Sequence, residues 1–149
     1  MSCILGVTAF HPDSSACIVV DGQLKAAVAE ERLGKRIKHD PSFPFQAIEN
    51  VLKTAGVDLS DVTHIALARD ARANLPAKIK FMISNPGRSL STFNAFQRRQ
   101  AKTVSIPEMI FNHFEQPLLR SNVKFVGVEH HLAHIASAYY CSPFDTLTA

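Results

Sequence analysis

The 149 residues contain no tryptophan and only three cysteines. Cys3, Cys17 and Cys141 are odd in number, far apart and free of any Cys-x-x-Cys spacing. That excludes a disulfide framework and a thiolate zinc site, and it points to reduced thiols in a cytoplasmic protein, each cysteine buried and structural. No apolar stretch reaches the roughly 20 residues that a transmembrane helix needs. The opening Met1-Ser2-Cys3-Ile4-Leu5 has no basic residue ahead of its apolar ones, so neither a secretory leader nor a membrane partner is expected. Acid is locally missing: from Ala71 to Pro107 there is no Asp or Glu, against Arg72, Lys78, Lys80, Arg88, Arg98, Arg99 and Lys102. With +3 for the whole chain, that block of +7 leaves −4 for the rest. Such a block meets phosphate or another anionic surface, or is a solvated helical face that packs on an acidic partner.

What is present reads as a single α/β domain. Cys3 to Phe10 is a buried strand, and His11-Pro12-Asp13-Ser14-Ser15 is a turn. Ala16 to Val20 and Leu24 to Glu30 are two more strands joined by Asp21-Gly22, a hairpin signal. The charged stretch Glu30 to Asp40 is expected on the surface as a loop or short helix. Ser42-Phe43-Pro44 opens a helix with the apolar stripe Ala47, Ile48, Val51, Leu52 and Ala55, stopped by Gly56. Thr63 to Ala68 is a strand, 73–118 a basic helical segment broken at Pro86-Gly87, Val123 to Val128 the last strand and His130 to Tyr140 the last helix. The order β-β-β-α-β-α-β-α, with a basic helical insertion over 70–120, is that of the ribonuclease-H-like half-domain of actin- and hexokinase-type ATPases.

Chemistry concentrates in three places. In the last helix His130 and His134 are four apart, share a face and could chelate one metal ion, although two ligands do not fill a coordination sphere. Glu129 precedes them, so this is not the His-Glu-x-x-His of a zinc protease. His131, about a hundred degrees round the helix, either faces a ligand or packs at a loop. The turn carrying Asp13, Ser14 and Ser15 has hydroxyls and backbone N–H groups able to receive phosphate oxygens, or it is simply an Asx-type turn. Lys38-His39-Asp40 binds an anion or a carbamoyl oxygen, or is a plain surface loop. His64 and His113 are expected to be structural or surface groups. Tyr139, Tyr140 and Phe144 are expected to pack under the last helix. Phe81, Phe93 and Phe96, interleaved with the basic residues, are expected in the core, with single-stranded nucleic acid binding as the alternative.

Three ordered stretches resemble one family. Ile4-Leu5-Gly6-Val7-Thr8-Ala9-Phe10-His11-Pro12-Asp13-Ser14-Ser15-Ala16 looks like the opening of the O-carbamoyltransferases of nodulation and antibiotic tailoring. Glu30-Glu31-Arg32, then Lys38-His39-Asp40 and Phe43-Pro44, match its next motif, and Glu129-His130-His131-Leu132-Ala133-His134 with Ala136 to Tyr140 and Ser142-Pro143-Phe144 its histidine motif. The resemblance implies a fold shared with tRNA threonylcarbamoyl transferases. It implies transfer of a carbamoyl group from carbamoyl phosphate, through a carbamoyl adenylate made with ATP, to a small-molecule hydroxyl. It further implies a divalent metal (iron or zinc) on His130 and His134, and nucleotide phosphates near Asp13, Ser14, Ser15, Lys38, His39 and His131. His11 would handle the acceptor's proton. The family continues into an Asp-Gly strand, a second lobe and an adenylate-forming domain, so residues 1–149 are expected to be a truncated N-terminal lobe, inactive alone. Its open sheet face would favour a homodimer. The alternative is a non-catalytic module whose basic insertion engages a partner subunit or, as the lesser class, nucleic acid.

Overall fold

A computed structural model describes residues 2–34, 39–70, 75–85, 105–116 and 122–146. Five strands, β1 (Cys3–Thr8), β2 (Ser15–Val20), β3 (Gln23–Ala29), β4 (His64–Leu67) and β5 (Lys124–Gly127), make one sheet in the order β3-β2-β1-β4-β5. The mixed α/β class expected from sequence is therefore what the chain adopts. β1 is central: it pairs antiparallel with β2 and parallel with β4, and β4 in turn pairs parallel with β5. The β2–β3 hairpin turns on two residues, Asp21 (φ 47°) and Gly22 (φ 79°), because Val20 pairs directly with Gln23. Two consecutive left-handed residues suit the twist of the strands they join, which is why Asp-Gly is favoured there.

Alternation along the strands sorts the sheet into two faces. Cys3, Leu5 and Val7 of β1, Ala16 and Ile18 of β2, and Ile65 and Leu67 of β4 are all buried. Helix α1 (Phe45–Ala55) covers them with Ala47, Ile48, Val51 and Leu52. Its expected stop holds: Gly56 is left-handed at φ 67° and its N–H returns to the carbonyls of Leu52 and Lys53. Of the basic segment, α2 (Leu75–Ser84) and a second helical stretch, α3 (residues 105–113), are described; Phe93 and Phe96 lie outside the described residues. Helix α3 contributes Ile106, Ile110 and Phe111 to the core, with Phe111 edge-on to Phe125 of β5.

The opposite face carries Gly6, Cys17, Ala27 and Ala66 in one row, and helix α4 (His130–Tyr140) crosses that side without burying any of its residues. Several expectations fail among the described residues. Tyr140 (82% exposed) and Phe144 stand in solvent instead of packing under the helix, Phe81 is exposed instead of core, and Cys141 is exposed instead of buried. Tyr139 is half-buried, its hydroxyl donating to the Asp145 carbonyl. His113 is structural as expected, stacked on Phe45 with ring centroids 3.8 Å apart, and His64 lies against the Thr63 hydroxyl.

Glu30 is the largest departure. Expected on a charged surface loop, it is 3% exposed. Its carboxylate accepts the N–H groups of Gln46 (3.2 Å) and Ala47 (2.7 Å), two of the donors that the first turn of α1 leaves without an intrahelical partner. The apparent N-terminal residue, Pro44, provides no side-chain cap, so a glutamate from another element supplies it.

Candidate active site

The parallel strands β1, β4 and β5 all end on the same edge, and the chain there gives way to the turn after β1, to Ala68 and to the start of α4. Open α/β sheets form their binding crevices outside such carboxyl ends. A cleft of about 640 Å³ lies there, walled by Thr8, His11, Asp13 and Ser15 on one side and by Val128, His130, His134 and Ser137 on the other, over a floor that includes Gly6, Cys17 and Ala66. Cavities of a few hundred Å³ suit small molecules and cofactors. The small floor follows from close packing: a methyl group on Gly6 would come within 2.6 Å of the Cys17 sulfur. Burial raises the Cys17 thiol above its ordinary value, with the Gly6 backbone N–H pulling weakly the other way.

On α4 the spacing of four does what helix geometry dictates. The Nε2 atoms of His130 and His134 stand 3.2 Å apart. At the usual metal–nitrogen distance of about 2.0–2.1 Å, two nitrogens so spaced would subtend roughly 100° at a shared ion, close to tetrahedral. The pair therefore fits half of a metal site, and among the described residues no cluster of three or more His, Cys, Asp or Glu side chains gathers to complete one. The His11 ring stands nearby, its centroid 5.6 Å from that of His130. His131 points elsewhere: its Nδ1 donates to Glu129 Oε1 at 2.9 Å and the ring is largely in solvent. Glu129 is the N-cap of α4, accepting the Leu132 N–H at 2.9 Å. That N–H, then His131, hold the Glu129 carboxyl below its ordinary range.

The turn after β1 is built by its own side chains. Phe10 takes a left-handed φ of 56°, edge-on to Phe43, and projects the residues that follow into the cleft. Ser14 is turned inward, 1% exposed, its hydroxyl donating to the His11 carbonyl and its carbonyl accepting the Glu30 N–H. Ser15 and Asp13 line the cleft, while Ser14 builds the turn that holds them. The His11 Nδ1 accepts the Asp13 N–H at 3.4 Å. His39 reaches over from the loop after β3, and its Nδ1–H donates to Asp13 Oδ1 at 2.7 Å. Lys38 lies outside the described residues. Of the residues singled out from sequence, the cleft thus gathers His11, Asp13, Ser15, His130 and His134, with His39 attached through Asp13; Ser14 and His131 stay outside it. Sequence reasoning overlooked Glu30 and Glu31 as anchors of this loop. Their signal was their position directly after a strand, opposite a helix start without a capping side chain of its own.

The family described as Carbamoyltransferase N-terminus matches residues 3–149, and the chain belongs to it. It is 35% identical to the nodulation protein NolNO of Sinorhizobium fredii over 91% of its own length, and 32% identical to the uncharacterized protein sll1178 of Synechocystis over 97%. An uncharacterized 19.2 kDa protein from the syrM 5' region of Rhizobium etli is 38% identical over 60% of the chain and 52% of its own length. The chain spans 18% of NolNO and 24% of sll1178. Among solved structures, YeaZ from Pseudomonas aeruginosa aligns with a TM-score of 0.36 and 24% identity over 47% of this chain and 30% of that one.

Proposed function

We propose that the chain forms the first lobe of an ATP- and metal-dependent carbamoyltransferase of ribonuclease-H-like, actin-type architecture. In this reading a carbamoyl group passes from carbamoyl phosphate, through a carbamoyl adenylate, to a hydroxyl of a small molecule. The observation that carries it is the meeting, in one cleft, of His11, Asp13 and Ser15 with His130 and His134, which lie more than a hundred residues further along the chain. Family membership supports carbamoyl transfer, and the order β3-β2-β1-β4-β5 with a leading antiparallel meander supports the architecture.

The residues divide the work by chemistry. His130 and His134 would hold a divalent ion, iron or zinc, which when bound would neutralise phosphate charge and polarise the carbamoyl group. Ser15 offers a hydroxyl to phosphate oxygens, and the buried Ser14 keeps the turn in shape around it. His11 and His39 flank Asp13, and one of these imidazoles takes the acceptor's proton. The lobe works with the further chain that relatives of NolNO's length carry.

The test is transfer itself. The 149-residue chain, and a chimera joining it to the remainder of NolNO, are given ATP, labelled carbamoyl phosphate and a polyhydroxylated acceptor. Acid-stable carbamate on the acceptor is expected from the chimera and is lost in a His130→Ala, His134→Ala double variant, together with its bound metal. Unchanged metal content in that variant sinks the ligand assignment. Salt-sensitive RNA retention without transfer would favour the binding-module alternative.

A further inference from the structure

Two histidines neighbour Asp13, and their hydrogen bonds put the ring protons on opposite nitrogens. A carboxylate only accepts, so the 2.7 Å contact with Asp13 Oδ1 puts a proton on His39 Nδ1, and in the neutral ring this leaves Nε2 with the lone pair. A backbone N–H only donates, so the contact from Asp13 N–H makes His11 Nδ1 the acceptor and leaves the proton of the neutral ring on Nε2. In these tautomers His39 is set up to take a proton and His11 to donate a hydrogen bond. A histidine held by a carboxylate on Nδ1 is also the arrangement that stabilises an imidazolium once formed.

The conformation of His39 has its own support. It is left-handed, with φ 61°, a region sparsely used by residues other than glycine. Its N–H donates to Glu31 Oε2 at 2.9 Å, while Glu31 Oε1 pairs with Arg32 Nε at 3.4 Å. Glu31 follows Glu30, whose buried carboxylate is fixed on the first turn of α1. The strained backbone of His39 is therefore anchored to the core through two consecutive glutamates, while its ring is anchored to the cleft wall through Asp13.

We propose that His39 is the proton acceptor for the incoming hydroxyl, with Asp13 and Glu31 as its positioning residues, and that His11 serves as a hydrogen-bond donor to the carbamoyl or phosphate oxygen. The assignment rests on the carbamoyl-transfer reading. As the acceptor oxygen attacks the carbamoyl carbon, its proton moves to His39 Nε2. The new C–O bond forms, the bond from that carbon to the phosphate oxygen of the leaving nucleotide breaks, and the electron pair departs with the phosphate. The imidazolium then returns its proton to solvent.

Heteronuclear NMR of the imidazole nitrogens in the 149-residue chain reads the tautomers without any turnover. The expected result is Nδ1–H on His39 and Nε2–H on His11 at a pH where both are neutral. In Glu31→Ala and in Asp13→Asn, His39 is expected to average between tautomers while the backbone spectrum elsewhere is retained. Nε2–H on His39 in the native protein, or a tautomer indifferent to both substitutions, overturns the proposal. In the transferring chimera, His39→Ala is expected to lower kcat by about 10²–10⁴, with partial rescue by added imidazole. Glu31→Ala should lower kcat by about ten- to a hundredfold. Native kcat in His39→Ala overturns the assignment. A native chimera that transfers no carbamoyl group overturns the carbamoyl reading and the proton-acceptor role with it, and the tautomers then report on the Glu31 and Asp13 anchors alone.

Discussion

Gly6 and Cys17 face each other across the β1–β2 ladder, one with no side chain and the other with a sulfur in the space this leaves. Gly6→Ala should therefore destabilise the protein by about 1–3 kcal/mol through overpacking. Adding Cys17→Ala should recover most of the loss, a coupling that a double-mutant cycle in urea would read directly. The same sulfur, with that of Cys3, sets an alkaline limit. Burial raises both thiols above the ordinary value of 9.0, so folding favours their neutral form. Their contribution is fully present below that value and is lost as pH climbs through the raised pKa, because the unfolded chain ionises first. A urea midpoint that falls above about pH 9 in the native protein, and falls less in a Cys3→Ala, Cys17→Ala variant, checks this. The expectation that each cysteine is buried and structural holds for Cys3 and fails for Cys141, which is exposed at the end of α4, a helix that buries none of its residues among those described.

At the scale of elements, the hairpin and α1 were legible because each obeys a local rule: an Asp-Gly turn, an apolar stripe at helical spacing, a glycine stop. The cap of α1 was not legible, because it is a long-range contact made by a residue that composition assigns to the surface. Glu30→Ala should cost about 1–2 kcal/mol, in the range of lost helix caps. Glu30→Gln should cost less, since its amide oxygen still accepts one N–H. Denaturation midpoints of the two variants separate these outcomes. The candidate site was legible in the same uneven way. The four-residue spacing of His130 and His134 gave a shared helical face, whereas the attachment of His39 to Asp13 depends on a left-handed backbone that no periodicity announces.

For the whole molecule, one face of the sheet is closed by α1 and α3 while the other offers Val126, Leu132 and Ile135 to solvent at 36–56% exposure. Exposed apolar side chains of this kind promote association. The isolated chain should therefore sediment as a concentration-dependent mixture, and Leu132→Arg should shift it toward monomer; a native chain that stays monomeric at high concentration would contradict this. No helix among the described residues is long and apolar enough to cross a membrane.

The position of β5 has a consequence for how the cleft comes into being. β1, β2 and β3 join through short turns, but about 56 residues separate the end of β4 from the start of β5. Closing a loop of that length costs roughly 3–4 kcal/mol in chain entropy. A four-residue edge strand returns little against that cost, so β5 should dock late in folding and be among the first elements to leave. Because β5 leads directly into His130 and His134, the two histidines ride on the segment that opens most readily. Hydrogen exchange should show the amides of β5 and α4 opening far below the global unfolding free energy, while β1 and α1 report the full value.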